Sequence, residues 1–540
     1  MSPSYAISSS RRLLIILTMN LFRKPTFPRL PKVNGHLNGL QLEVRILVVG
    51  VGPHAQRSYI PHVNELHAVH NCTVVAAVDV EQKRADVEAY ARTHCPDAKL
   101  SFFPLFTYTM PPAVRDELDE IILTLGVNAV IISTEPLCHR PYALWAMGHG
   151  LSILMDKPIT TRIGATTDMA EAKGIAEDYY VLLEAYQELQ KRKPTCFAIS
   201  SHRRFNPIFH KAAEYIRDIC QRTGCPVTGV SASYGDGTFR LPLEVIKQQY
   251  HTYSQGYGKV SHSGYHIIDL VCFFIKAGLV EGKTPDRADV VSSFVLPSGF
   301  FRTLREPDYQ RLFGADAYKN VCPLDEEALG SHVGDYGELD ACAQVTFYQG
   351  NDAVMLSQIS LSSSGYCLRS SLLPNADQYK GNGRVKHESY EIKSGPFQTI
   401  YIESRTVKDN GDLCEPGHYD VGTNNHFQMT VFRNNELTGH PEPLEVVHLA
   451  QLADALGYDH TKLYTEQAKQ AMILELVHFV QGKLPLEALT SNIDDQRMTV
   501  EIMSAMYASH LQGRQGENPI AQIALSIADH CRFPRSRGKE

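Results

Sequence analysis

The fold is most clearly indicated by one stretch, Val44-Arg-Ile-Leu-Val-Val-Gly50-Val-Gly52-Pro-His-Ala55. It joins a short apolar strand to a glycine-rich turn and the start of a helix. Gly50 permits the tight turn, Gly52 lets the backbone approach a pyrophosphate, and Ala55 is the third small residue, where helix meets strand. A pyrophosphate would then rest on the helix N-terminus. The stretch therefore predicts a dinucleotide cradle, although such a turn also occurs in α/β domains that bind no nucleotide.

A second apolar run, Thr73–Val78, ends in Asp79. An acidic residue at the end of this strand accepts hydrogen bonds from the adenosine ribose hydroxyls and repels a 2′-phosphate. No Arg or Lys follows at once, since residues 80–82 are Val, Glu and Gln. The sequence therefore favours NAD over NADP as the cofactor.

Short apolar runs alternate with helical stretches from Val44 to Ser200, and this pattern predicts a doubly wound parallel sheet covered on both faces. Beyond about Thr195, alternating segments such as Ala343–Tyr348 favour an antiparallel sheet with one covered face. Two helical patterns, Thr465–Gln481 and Asp494–Gln512, are expected to close this second domain. The expected division is a leader (1–42), a Rossmann domain (43–195), a substrate and oligomerisation domain (196–515, with insertions near 300–338 and 405–425) and a tail (516–540).

Composition narrows the classes of function. The net charge is −7, from 52 basic and 59 acidic residues. The chain therefore lacks the excess of positive charge that is typical of proteins that bind nucleic acid or anionic membranes. Twelve scattered cysteines favour reduced thiols and a cytoplasmic location. Residues 1–42 are basic and contain no Asp or Glu, which predicts a disordered leader or a mis-set start, with an organelle or export signal as the alternative.

Three further motifs carry a family resemblance: Thr134-Glu-Pro136-Leu-Cys-His139, Asp156-Lys157-Pro158 and Ser263-Gly264-Tyr265-His266-Ile-Ile-Asp269. Together with Gly50–Asp79 they resemble the Gfo/Idh/MocA family of glucose–fructose oxidoreductase and inositol dehydrogenase. The resemblance implies an α/β fold, with an N-terminal Rossmann doubly wound parallel sheet and a C-terminal α/β domain that has a large, mostly antiparallel open sheet. It also implies a homodimer or homotetramer, because a monomer would expose a broad apolar sheet face.

The resemblance also implies a catalytic set of Lys157, His262 and His266. His266 is the candidate base, since a histidine exchanges protons near neutral pH, and Lys157 would stabilise the developing alkoxide. His262 stands where inositol-dehydrogenase-like members have Asp, and it would orient the substrate or relay a proton. Each residue also has an interpretation without a catalytic role. Lys157 could be an ordinary surface lysine, His266 a core histidine and His262 a loop histidine without function.

The remaining expectations concern binding. Arg204, Tyr265 and Asp269 are candidate substrate contacts. Arg203 and Arg204 suit substrate hydroxyls and ion pairs equally, whereas Asp269 better suits a pair with a neighbouring cation, and Tyr265 suits the core. His262, His266 and Asp269 have metal-ligand spacing, but the cradle explains the site better, so no metal is expected. The predicted cofactor contacts are Gly50, Gly52, Pro53, His54, Ala55, Asp79, Thr134, Pro136, His139, Asp156 and Lys157.

These features predict an NAD(P)-dependent dehydrogenase or reductase acting on CH–OH groups. It would transfer hydride between the nicotinamide and a secondary alcohol or ketone of a sugar, sugar derivative or cyclitol. Two alternatives stay open within the same fold: a non-catalytic, dinucleotide-sensing regulator, and a glycosidase that uses tightly held NAD. The partner is expected to be a small molecule, with neither nucleic acid nor membrane involved.

Overall fold

The computed structural model describes residues 42–249, 251–372, 383–407, 425–459 and 462–525 of the 540-residue chain. The leader expected at residues 1–42 lies outside the described residues except for Leu42. Most of the insertion expected at 405–425 also lies outside them.

The first sheet has six strands, all parallel, in the order β3-β2-β1-β4-β5-β6. The strands are β1 (Val44–Val49), β2 (Cys72–Val80), β3 (Lys99–Phe103), β4 (Ala129–Ile132), β5 (Ser152–Met155) and β6 (Phe197–Ile199). Every residue of β4 and β5 is buried, as strands need to be when helices cover both faces. This arrangement confirms the predicted doubly wound sheet, and it places a ligand crevice where the strand order reverses between β1 and β4.

Five helices accompany these strands: α1 (Ile60–His70), α2 (Arg84–His94), α3 (Pro112–Leu125), α4 (His139–Gly148) and α5 (Met169–Gln190). A π-helical turn, Ala55–Tyr59, leads directly into α1. Because β6 pairs with β5, the first sheet continues past residue 195, where the sequence placed the domain boundary.

The second sheet has nine strands in the order β14-β13-β12-β11-β7-β10-β9-β8-β15, and only the β7–β10 pair is parallel. The strands are β7 (Gly229–Thr238), β8 (Arg287–Val295), β9 (Asp340–Gln349), β10 (Asp352–Ser364), β11 (Lys386–Ser394), β12 (Gln398–Thr406), β13 (Asn425–Arg433), β14 (Leu444–His448) and β15 (Ala521–Ala524). The large, mostly antiparallel sheet implied by the resemblance is therefore confirmed.

Helices cover one face of this sheet. They include α6 (Pro207–Thr223), α8 (Tyr265–Ala277) and α16 (Arg497–Arg514). The helices α13 (Asn435–Thr438) and α14 (Leu449–Leu456) pack against α6, and α7 (Pro242–Lys247) follows β7 along the chain. The opposite face exposes apolar side chains from five strands: Val291, Leu356, Tyr401, Phe432 and Val446. The strand alternation therefore produces one covered face and one open face, as the sequence pattern predicts.

The helix α15 (Tyr464–Val480) corrects one expectation, because it packs on the first domain rather than closing the second. Met472, Ile473 and Val477 belong to the same apolar cluster as Val44 of β1 and Val63 of α1. A helical period shows that a helix has an apolar face, but it does not show which sheet that face will cover.

Two other segments also differ from expectation. The region around 300–338, expected as an insertion, forms four short helices, α9 (Pro297–Phe300), α10 (Glu306–Phe313), α11 (Ala315–Val321) and α12 (Glu326–His332). They enclose a small core of their own that includes Tyr309, Tyr318 and Leu329. The tail expected from residue 516 contains β15, which pairs with β8.

Candidate active site

The dinucleotide cradle lies between the end of β1 and the following helix. Gly50 has φ +86°, and a Cβ there would lie 2.6 Å from the carbonyl oxygen of Ser133, so only glycine fits. A Cβ on Gly52 would meet no atom within 4 Å. Ala55 is fully buried where the helix leaves the sheet. The turn therefore leaves open space beside a helix start whose first N–H groups lack intrahelical acceptors, which fits a pyrophosphate.

Asp79 fastens this turn to the end of β2. Its Oδ2 accepts a hydrogen bond from the Val51 N–H at 2.7 Å, and its Oδ1 accepts one from the Val80 N–H at 2.6 Å. The carboxylate remains half-buried at the rim of the cradle. Its remaining lone pairs suit ribose hydroxyls, whereas its charge would repel a 2′-phosphate.

Asp156 and His54 join the cradle to the end of β5. The Asp156 carboxylate accepts the N–H of Lys157 at 2.8 Å and lies 3.8 Å from Nε2 of His54. Burial, only partly opposed by Asp156, lowers the pKa of His54 to about 4, so this ring is neutral. The Lys157–Pro158 peptide bond that follows is cis.

The segment after β4 closes the same crevice. The Cα of Thr134 would lie 2.8 Å from a Cβ on Gly50, so the two turns are in close contact. Pro136 opens a single helical turn, Pro136–Cys138. His139 is fully buried, with Nδ1 2.8 Å from the Pro158 oxygen and Nε2 3.2 Å from the Thr134 oxygen. His139 therefore braces two backbone segments, and both of its ring nitrogens are already engaged.

Lys157 reaches from the first domain to the second. Its Nζ donates a hydrogen bond to the carbonyl oxygen of His262 at 3.3 Å. Burial lowers the pKa of Lys157, and the neighbouring Asp156 opposes this shift. The lysine thus lies at the carboxyl ends of the parallel strands, against the turn that carries the candidate histidines.

His262 lies in a π-helical turn, Val260–Gly264, that leads into α8. Its ring stacks on His251, with centroids 4.8 Å apart, and meets Tyr257 edge-on at 5.5 Å. Burial, followed by the charge of Lys157, lowers the pKa of His262 to about 3. A ring in this state is neutral and can donate or accept a hydrogen bond, but it does not carry charge at neutral pH.

His266 follows one helical turn later, in the first turn of α8. Its ring lies edge-on to His202 at 4.5 Å. Its Nδ1 is buried and has no hydrogen-bond partner within the described residues. Burial, reinforced by His202 and Arg203, lowers the pKa of His266 well below its usual range. The structure thus presents a neutral imidazole with an unused nitrogen, which is what a proton acceptor requires.

The three expected substrate contacts are already engaged with other groups of the protein. Arg204 and Asp269 form a fully buried ion pair, 2.6 Å between Nη2 and Oδ1, and Arg204 also pairs with Asp495. Tyr265 is fully buried and donates to Gln496 at 2.7 Å. These contacts hold α8 against the segment that precedes α16, which favours a supporting role for the three residues. Their sequence positions beside His266 did not distinguish the two roles.

Other residues of the site were missed by the sequence analysis. His251, Tyr253 and Tyr257 surround His262, and Tyr257 donates a hydrogen bond to Glu135, the residue between Thr134 and Pro136. The run of rings from residue 251 to 257, directly before the turn of His262, is the signal that could have found them. Arg203, for which the sequence analysis considers an ion pair, forms one with Glu388 at 3.0 Å.

Two searches of the described residues bear on other classes of function. No group of three or more His, Cys, Asp or Glu side chains among them could hold a metal ion. None of the described helices is both long and apolar enough to cross a membrane.

Comparisons with known proteins were made for sequence and for fold. Residues 44–180 match the GFO_IDH_MocA family, described as an oxidoreductase family with an NAD-binding Rossmann fold. No curated protein matches the chain.

Solved structures share the fold over most of the chain. Aldose–aldose oxidoreductase from Caulobacter crescentus is 15% identical, with a TM-score of 0.51, over 90% of this chain and 100% of that one. An NAD-binding oxidoreductase from Klebsiella pneumoniae is 13% identical, with a TM-score of 0.53, over 90% and 100%. The WlbA dehydrogenase from Bordetella pertussis, in complex with NADH and UDP-GlcNAcA, is 11% identical, with a TM-score of 0.50, over 90% and 98%. At such identities the likeness shows a common fold.

The glycine turn, the acidic end of β2 and the family match over residues 44–180 agree with one another. The N-terminal domain of this chain is an NAD-binding Rossmann domain that matches the Gfo/Idh/MocA oxidoreductase family over residues 44–180.

Proposed function

We propose that the protein is an NAD-dependent oxidoreductase that interconverts a secondary alcohol and a ketone of a sugar, sugar derivative or cyclitol. One observation carries the proposal: Lys157, at the end of a cofactor-domain strand, meets the histidine-bearing turn of the second domain, with 3.3 Å between its Nζ and the His262 oxygen. A substrate between these two elements would face the nicotinamide end of the cradle.

The side chains divide the chemistry between them. Bound NAD would supply the hydride acceptor. The unpartnered Nδ1 of His266 accepts the hydroxyl proton, and its neutral state at physiological pH keeps it ready to do so. Lys157 donates a hydrogen bond to the same oxygen and stabilises the charge that develops on it. His262, neutral and held between His251 and Tyr257, orients the substrate.

Turnover of NAD with a panel of sugars and cyclitols tests the proposal. We expect formation of NADH at the expense of one class of secondary alcohol, with the ketone recovered in equal amount. Tight NAD binding without any turnover would contradict the proposal and favour the regulatory alternative. Hydrolysis of a glycoside without net NADH release would contradict it in favour of the glycosidase.

We also propose that the protein is a homodimer or homotetramer that buries the open face of the second sheet. Val291, Leu356, Tyr401, Phe432 and Val446 are exposed on one side of this sheet, and soluble monomers rarely leave such a face bare. Light scattering at micromolar concentration should show an oligomer, and Leu356→Lys with Phe432→Lys should shift it towards monomer. A wild-type protein that is monomeric under these conditions would overturn this assignment.

A further inference from the structure

The second-domain wall of the site holds several buried cations around one carboxylate. Lys259 Nζ lies 2.6 Å from Oδ2 of Asp236, and Arg384 Nη2 donates to Oδ1 of the same residue at 2.9 Å. All three residues are at most 5% exposed. Asp340, which also faces Lys259, accepts two hydrogen bonds from Ser363. The carboxylates of this wall are therefore already engaged.

Arg240 adds a further cation to this wall; its charge also acts on Asp236, but it forms no ion pair at contact distance within the described residues. The residue is 5% exposed. Within the described residues, its one hydrogen bond runs from Nη1 to the Tyr253 hydroxyl at 3.5 Å, the outer limit for such a bond. A guanidinium has five N–H donors, and most of those of Arg240 have no acceptor among the described residues, so they can bind a ligand. The contrast is Arg369, also buried, whose two terminal nitrogens both bind Glu244.

Arg240 is close to the candidate catalytic residues. The ring of Tyr253, its hydrogen-bond partner, lies 5.7 Å from the ring of His262. Lys259 immediately precedes the turn that carries His262. After burial and Lys157, the positive charges of Lys259 and Arg240 contribute to the lowered pKa of His262. The unused donors of Arg240 therefore belong to the substrate end of the crevice, away from the glycine turn.

Resting on the proposed function, we infer that the substrate is an acidic sugar derivative, whose carboxylate or phosphate binds Arg240 while its reacting carbinol lies against Lys157 and His266. A guanidinium binds either oxyanion through two parallel hydrogen bonds, which gives orientation as well as affinity. In a buried pocket this contact is worth more than it would be in water. A neutral sugar could not form this contact between opposite charges.

The test measures binding to the NAD-loaded protein by calorimetry, with matched pairs of ligands. The pairs are glucuronate and glucose, galacturonate and galactose, and glucose 6-phosphate and glucose. In at least one pair the acidic member should bind at least about tenfold more tightly, the scale of one charge-assisted hydrogen bond. The uronate and phosphate pairs distinguish a carboxylate from a phosphate. Equal affinities in every pair would overturn the inference.

Arg240→Gln should reduce the preference to less than about threefold, because the amide keeps a polar group but removes the charge. Arg240→Lys should keep only part of the preference, because lysine retains the charge but cannot form the two parallel hydrogen bonds. The control is Arg369→Gln with Glu244→Gln, which neutralises a buried pair outside the proposed contact and should leave the preference intact. The NAD dissociation constant confirms folding of each variant. A preference that persists in Arg240→Gln would refute the role of Arg240.

Because binding and turnover are measured separately, the two proposals fail in different ways. An acid preference that depends on Arg240, without NADH formation, would sustain the anion site and contradict the oxidoreductase. NADH formation from neutral sugars, with no acid preference, would sustain the oxidoreductase and contradict the anion site.

Discussion

The cofactor end and the substrate end of the crevice are built in opposite ways. At the cofactor end, the backbone of one continuous turn forms the cradle, and a single carboxylate, Asp79, stands at its rim. At the substrate end, the side chains come from distant stretches of chain. His262 and His266 are buried and Lys157 is half-buried, and all three have lowered pKa values. The residues that form the cofactor cradle are therefore close together in sequence, whereas the candidate catalytic residues come together only where the two domains meet.

The largest expected effect separates the two ends kinetically. Lys157→Ala and His266→Ala should each lower kcat by about 100- to 10,000-fold, the usual cost of losing one acid–base group. Their NAD dissociation constants should stay near the wild-type value, because both groups act beyond the cradle. Steady-state turnover and NAD titration measure both quantities. His332→Ala, at an exposed histidine of α12, is the control for a general effect of removing an imidazole.

His262 sharpens the same comparison. His262→Ala should be milder than His266→Ala, and His262→Asp should retain activity if this position only orients the substrate. Wild-type turnover in His266→Ala on the true substrate would show that another group is the base.

The next effect concerns the residues that support the substrate end. Arg204→Met leaves Asp269 and Asp495 buried without their cation, and it should lower the free energy of unfolding by about 3–5 kcal/mol. The control Arg222→Met removes a half-exposed pair with Asp218 and should cost less than about 1 kcal/mol. Urea titration of both variants measures the difference. Equal stabilities would mean that the buried pair is not structural.

A smaller effect is expected at the cradle. Wild-type protein should bind NAD at least about tenfold more tightly than NADP, or ~1.4 kcal/mol, because the 2′-phosphate would meet Asp79. Asp79→Ser should reduce the difference in affinity between NAD and NADP. It should also weaken the binding of NAD, since the serine cannot replace both carboxylate oxygens. Fluorescence titration with each cofactor gives the two constants. Tighter binding of NADP by the wild type would contradict the assignment of Asp79.

The smallest effect is a displacement of the pH profile. The sequence alone predicts a group ionising near neutrality, whereas burial in the structure lowers the pKa of His266 well below the usual 6.5. Because the proposed base is the neutral ring of His266, activity should persist at neutral pH and fall only as the pH drops through this lowered value. The logarithm of kcat/KM against pH should therefore show an acidic limb below 6.5 that His266→Ala removes. A limb at or above 6.5 would mean that the ring is more solvated than the structure shows.

The cradle could be predicted because its determinants are adjacent in sequence and have one physical solution each. Gly50 needs a positive φ and lies against Ser133, so its residue type alone indicates the turn. The doubly wound sheet follows from the short apolar strands for a similar reason. Lys157 was placed by its motif at the end of a strand, and the structure brings it against His262.

The roles of the other site residues and the helices of 300–338 could not be predicted, because they depend on tertiary contacts or on elements too short to show a pattern. Arg204 and Asp269 resemble substrate ligands in sequence, but their mutual 2.6 Å contact inside the core is a property of helix packing. Arg240 and His251 have no periodic signal, and their importance appears only through the groups that surround them. The helices of 300–338 were missed because each is too short to show a period.

The position of α15 has a consequence for how the protein is made. The apolar cluster on one side of the first sheet includes Met472, Ile473 and Val477, which lie far beyond the last strand of that sheet. During synthesis, the cofactor domain cannot complete its core until these residues have left the ribosome. An N-terminal fragment ending near residue 200 should therefore aggregate or recruit chaperones, and adding α15 as a separate peptide should rescue it. The order in which the ribosome releases the chain thus sets the order in which the two domains can mature.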